Sequence, residues 1–175
     1  MKVAKLPLFS LAVGLAVTPF LLPRRFRVAQ RVVIRGRPSE IFPYLDSLKN
    51  WPLWTPWNRQ RPLDFHYEGP DAGVGAAQYW TGKCTAGSVR ILQSHADERV
   101  TFKVAMRGDP RDFEGVLSLE PLGDSTRVVW YCRWERNASP YLRYLDLFIK
   151  WRMNHDFLDG LENLKELVEE TGHSA

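Results

Sequence analysis

RPSEIFPYLDSLKNWPLWTPW, residues 37–57, follows a strand-like run and places a helix start, a short helix and three tryptophans in one stretch. Pro38 suits a first helical turn, Ser39 can cap it, and Glu40 suits the helix's positive end. Ile41, Leu45 and Leu48 recur at i, i+4 and i+7, which gives one apolar face. Asn50 and Pro52 end or break the helix. Trp51, Trp54 and Trp57 then recur every third residue in a segment broken by Pro52 and Pro56. A second short helix or turn that gathers the indoles in one place fits that spacing.

Outward from this stretch the period changes. Upstream, RVAQRVVIR (27–35) alternates Val28, Val32 and Ile34 with Arg27, Arg31 and Arg35, as a half-buried strand does. Downstream, Leu63, Phe65 and Tyr67 alternate with Asp64, His66 and Glu68. Further strands are predicted over 76–82, 84–94, 98–106, 112–120 and 125–135. Short connections such as Gly123-Asp124 imply an antiparallel meander. Glycine-rich 69–75 has neither the spacing nor the Gly-Lys-Ser/Thr of a phosphate loop, so it reads as a turn. From Leu142 the step becomes three or four: Leu142, Leu145, Ile149, Met153, Phe157, Leu161, Leu164 and Val168 form the inward stripe of a long helix. Gly160, on the same side, would allow close approach of another backbone. One helix cannot cover seven curved strands, so a gap between them is expected.

Composition narrows the function classes. The 175 residues suffice for one domain with a sizeable core, and the seven Trp and nine Phe can line a pocket as well as fill it. The net charge of +4 is concentrated at the front, where residues 1–26 hold Lys2, Lys5, Arg24 and Arg25 and no acid. Subtracting those four from 24 basic residues leaves 20, equal to the 20 acidic. A neutral domain has no surplus from which to build a nucleic-acid surface, so no nucleic acid is expected as a partner. Cys84 and Cys132 sit in strand-like runs without metal-ligand neighbours, and they read as small buried hydrophobes.

Residues 6–22, LPLFSLAVGLAVTPFLL, form the front-end apolar segment, with Lys2 and Lys5 before it and Arg24, Arg25 and Arg27 after. With Pro23 the uncharged run spans about 27 Å as a helix, just enough for a bilayer. Thr18-Pro19-Phe20 is a poor cleavage pattern, and arginines follow at once, which disfavours a removable signal peptide. The expectation is a single-pass N-terminal membrane anchor (1–26) carrying a ligand-binding domain (27–172), on an undetermined side of the membrane.

The order of elements, with PSEIFPYLDSLKNWPLWTPW, GPDAGVGAAQYWTG, ERVTF, STRVVWY and FLDGLENLKELVEE, resembles the SRPBCC or START-like helix-grip superfamily, nearest its polyketide cyclase/dehydrase and lipid-transport-like branch. The resemblance covers residues 27–170. It implies an α+β fold: a seven-stranded antiparallel sheet curved around a long C-terminal helix, two short helices after the first strand, and a hydrophobic cavity between sheet and helix. It does not carry a function, because such a fold hosts many.

The residues supply little catalytic chemistry. His66 lies on the polar parity of its strand, His95 is beside a turn, His155 is off the helix stripe and His173 is in the tail. Asp156 and Asp159 fall nearer the stripe's edge and read as solvated, while Arg90 and Glu114 point outward by parity. Asn137-Ala138-Ser139 reads as a chance glycosylation pattern, since Pro140 follows. No catalytic set, metal site or cofactor is expected. The expected role is a membrane-anchored binding or carrier domain for a hydrophobic small molecule or lipid. The candidate cavity liners are Trp54, Trp80, Phe102, Phe113, Trp130, Trp134, Met153, Phe157 and Leu161, with Trp54 at the entrance and Trp51 and Trp57 structural. The alternatives are a cyclase, dehydratase or hydrolase acting on an aromatic or polyketide-like substrate, and an interaction module without a cavity.

Overall fold

A computed structural model describes residues 17–57, 63–83, 85–136 and 139–172. Within them β1 (Arg25–Arg35) leads into α1 (Pro38–Asp46) and α2 (Trp51–Trp54). Six strands follow: β2 (Asp64–Glu68), β3 (Ala77–Thr81), β4 (Ala86–His95), β5 (Arg99–Met106), β6 (Phe113–Leu122) and β7 (Ser125–Glu135). A 3-10 turn, Pro140–Leu142, then opens α3 (Arg143–Gly172). The sheet order is β1-β7-β6-β5-β4-β3-β2, antiparallel throughout. This is the helix-grip α+β architecture the sequence predicts. Cys84, His173, Asn137 and most of the 6–22 segment lie outside the described residues. Among the described ones, no helix is long and apolar enough to cross a membrane.

The α1–α2 hairpin shows why this region is rich in tryptophan. Arg37 rather than Ser39 precedes the first turn, and its backbone N–H donates to the Glu40 carboxylate at 2.8 Å. The helix ends at Asp46, one turn earlier than the apolar spacing suggests, which leaves carbonyls of its last turn in need of other donors. Asn50 Nδ2 donates to Pro43 O at 3.0 Å, Trp54 Nε1 to Tyr44 O at 3.1 Å and Trp51 Nε1 to Leu45 O at 3.0 Å. The second helix therefore caps the first. Leu48, buried but outside both helices, joins Ile41 and Leu45 in the core.

Helix α3 lies mainly along β1, at the sheet edge. Its Glu169 accepts the Arg35 backbone N–H at 2.9 Å, and its Asn154 accepts from the Gln30 side chain at 3.0 Å. The helix thereby shields an edge strand that would otherwise be open to pairing. Strands β2–β5 are left largely uncovered by it.

At its start α3 departs from the predicted stripe. Leu142 and Leu145 were expected to face inward, but both are exposed, and Arg143 and Asp146 take the interior positions. Asp146 has no exposed surface. Its oxygens accept Arg111 Nη1 at 2.5 Å, Arg136 Nε at 2.6 Å and Trp134 Nε1 at 2.9 Å. Arg143 Nη1 donates to the carbonyls of Pro19 at 2.8 Å and Leu22 at 3.0 Å. Satisfying these buried charges outweighs the gain from turning two leucines inward. Substituting Asp146→Ala strands the buried Arg136 guanidinium and leaves Arg111 with Asp109 alone, and urea unfolding should show a loss of about 3–5 kcal/mol.

Candidate ligand cavity

Between the uncovered half of the sheet and the first half of α3 lies a cavity of about 380 Å³. Six of the sequence-predicted liners reach its wall: Trp80, Phe102, Phe113, Trp130, Met153 and Phe157. Three do not. Trp54 is turned away by its bond to Tyr44 O and lies with its ring edge-on to Trp130, so it is core and not entrance. Trp134 is held by Asp146 and stacks on Phe26 at 5.5 Å. Leu161 is too far along α3 and packs in the core. Trp51 and Trp57, expected to be structural, stand on the wall instead. Sequence spacing brought the three indoles together but could not say which ring the caps would turn outward.

Trp130 organises this wall. It stacks on Phe157, with ring centroids 4.0 Å apart and planes 5° from parallel. Trp51, Trp54 and Trp57 meet it edge-on, at 6.5, 5.2 and 5.7 Å. Such pairs add to burial energy and fix ring orientation. Its Nε1 is buried and has no acceptor among the described residues. Gly160 makes room for this cluster: it faces the Trp130, Pro56 and Trp54 side chains, where the sequence suggested close approach of a backbone.

Two glycines keep the cavity open. Phe102 pairs across the sheet with Gly115, and Trp80 with Gly87. A Cβ at either glycine would collide with the ring lying over it. Each aromatic can therefore lie down on the neighbouring strand, where a larger residue would push it into the void. A Gly115→Ala change should displace the Phe102 ring, costing about 1–3 kcal/mol in urea unfolding. The same variant should bind less of an apolar fluorescent probe than the native chain.

The wall is not wholly apolar. Thr55, Gln78, Thr85, Asp109, Arg111 and Cys132 contribute to it. Burial pushes the Cys132 thiol up to about 12, so it is protonated at neutral pH. The Arg111 side chain is held by Asp109 and Asp146 and lies over the Phe113 ring at 4.8 Å. Burial works against the Arg111 charge, but the two carboxylates outweigh it and raise its pKa. In return the Arg111 guanidinium, hydrogen-bonded to Asp109, holds that carboxyl below its ordinary value. Asp109 thus contributes stability that is complete above about pH 4 and is lost as pH falls through its depressed folded value. Urea unfolding between pH 7 and pH 2 should show a shallower acid-side decline for Asp109→Asn than for the native chain.

The remaining polar candidates lie away from the wall. His66, Arg90 and Asp159 are exposed, and Glu114 is ion-paired with Arg133 on the outer face. Asp156 is a correction. It is buried, accepts Trp57 Nε1 at 3.3 Å and is paired with Arg152 at 3.0 Å. Its position at the stripe's edge concealed a role as the anchor of a cavity tryptophan.

The chain matches the model of a family described as polyketide cyclase/dehydrase and lipid transport, over residues 25–169. It belongs to that family. No curated protein matches the sequence. Several solved structures share the fold. A protein from Thermus thermophilus is 16% identical with a TM-score of 0.64, covering 83% of this chain and 99% of that one. Norcoclaurine synthase of Thalictrum flavum, solved as a point mutant with a transition-state analogue, is 12% identical with a TM-score of 0.65, covering 86% and 97%. The Aha1 dimer of Colwellia psychrerythraea is 16% identical with a TM-score of 0.56, covering 82% and 96%. At these identities the likeness is one of fold.

Proposed function

We propose that the protein binds and carries a hydrophobic small molecule or lipid in the cavity between sheet and α3, and that residues 6–22 anchor it to a membrane. The observation that carries the reading is the cavity. Its volume of about 380 Å³ falls within the span of roughly 300–1,000 Å³ usual for ligand sites. Its wall is built mostly of aromatic and aliphatic side chains. Burial of an apolar guest there gains roughly 25 cal/mol per Å² removed from water. The Asp109–Arg111 pair gives the wall one charged feature, which suits a guest with a single polar group. A cavity of this size also disfavours a module that acts through its surface alone.

A carrier fits this wall better than a catalyst does. Asp109 is the carboxylate on the wall, and its lowered pKa leaves it ionised, hydrogen-bonded to Arg111 and a weak base. The family's description includes lipid transport as well as cyclase and dehydrase activity, so both classes stay within its range.

Native mass spectrometry of the full chain after mild detergent extraction tests the reading. A co-purified lipid or metabolite is expected, and Met153→Trp, which fills the wall from α3, should reduce its occupancy several-fold. Repeated recovery of empty protein, with no uptake from a lipid panel, would remove the carrier reading.

A further inference from the structure

The first turn of α3 is inside out. Between Ser139 and His155 the sequence has one acid, Asp146, and it is buried with Arg143, while the apolar residues around them face solvent. Leu145 is 48% exposed, Phe148 59% and Trp151 56%. Further along, the outward positions become mostly polar, with His155, Asp159 and Glu162, and Leu158 is the exposed apolar residue among them at 37%. The change is confined to the start of the helix and is not a general looseness of α3.

This face is continuous with the end of the apolar front segment. Residues 17–21 are helical, and the Phe20 ring meets Tyr141 edge-on at 6.0 Å. The clamp from Arg143 to the Pro19 and Leu22 carbonyls fixes the junction. Charge points the same way. Residues 17–27 contain Arg24, Arg25 and Arg27 and no acid, with Arg25 paired to Glu135 at 3.5 Å, and Arg152, four residues on from Phe148 and so on the same side of the helix, is exposed with Asp156 as its partner. Exposed apolar rings, nearby cations and no exposed carboxylate along residues 139–155 complement a bilayer surface bearing anionic headgroups.

We propose that the N-terminal half of α3 lies on the lipid bilayer, with Leu145, Phe148 and Trp151 inserted at headgroup depth. Ile149 and Met153, on the adjoining side of the same turns, line the cavity. Docking therefore places the cavity wall against the membrane, and an apolar guest can pass between bilayer and cavity with little exposure to water. The inference rests on the reading of residues 6–22 as an anchor and adds to it the surface by which the domain itself is held.

The seven tryptophans all lie beyond residue 50, so none belongs to the anchor, and indole emission reports the domain alone. The full chain is reconstituted in vesicles of three parts phosphatidylcholine to one part phosphatidylglycerol, with acyl chains brominated or not. Bromine should quench the emission, and most of that quenching should vanish in Trp151→Phe, a change small enough to keep the fold, as circular dichroism checks. Phe148→Ser should weaken the quenching with Trp151 still present. Equal emission in both lipids, from chains that float with the vesicles, would overturn docking and leave the anchor standing. Chains that fail to float would overturn both. Quenching undiminished in Trp151→Phe would mean that bromolipid reaches other indoles, such as those of the cavity, and would also overturn docking. So would an unquenched Trp151 in chains that cross-link to one another, where a second copy covers the face.

Discussion

A single buried carboxylate sets the rotation of α3. Asp146 is bound by Arg111 from the loop before β6, by Arg136 just after β7, and by the Trp134 indole. These partners come from separate parts of the sheet, so the helix can satisfy them in only one orientation. A buried carboxylate without them would be far more costly than a few exposed leucines. Once the rotation is fixed, Ile149, Met153 and Phe157 point at the sheet and Leu145, Phe148 and Trp151 point away from it. The cavity wall and the exposed apolar face are two sides of the same turns.

The other wall depends on the α1–α2 hairpin. Its indoles cap the first helix, and the same bonds decide which rings turn toward the cavity. Trp54, bonded to Tyr44 O, is enclosed, whereas Trp51 bonds Leu45 O and still presents its ring to Phe102 at 4.9 Å. Asn163 of α3 donates to Trp54 O at 3.0 Å, and Asp156 accepts from Trp57, so α3 holds the hairpin in place. With the hairpin and the Asp146 cluster fixed, the long helix cannot drop onto β2–β5. That leaves the gap between them open.

Much of the architecture could be read from the sequence because it depends on periodicity. The alternation through Val128, Trp130, Cys132 and Trp134 defines one face of β7, and burial follows it without interruption. The start of α3 was illegible for the same reason: a pattern rule places charge outside and leucine inside, and Arg143 and Asp146 reverse it. Arg111 and the Pro19 and Leu22 carbonyls are remote in the chain, so no local window contains the whole set of partners. The cavity was legible as a gap and in six of its liners, but not as the full set of residues. Whether Trp80 and Phe102 stand up or lie flat depends on Gly87 and Gly115 in neighbouring strands, which only the register reveals. Trp134 and Leu161 have the right parity or spacing, yet they sit too deep to reach the void.

The carboxylates nearest the cavity share one condition. Asp109 is held by Arg111, Asp156 by Arg152 and the Trp57 indole, and Asp146 by two guanidinium groups. Each is committed to positioning a neighbour. A general acid or base must exchange its proton with a guest, and a carboxylate bound to a guanidinium favours staying ionised. The arrangement spends its charged groups on shape: they orient α3, fix the indoles and close the ends of the helices. What faces the cavity is a mostly apolar wall with one neutralised ion pair, Asp109–Arg111.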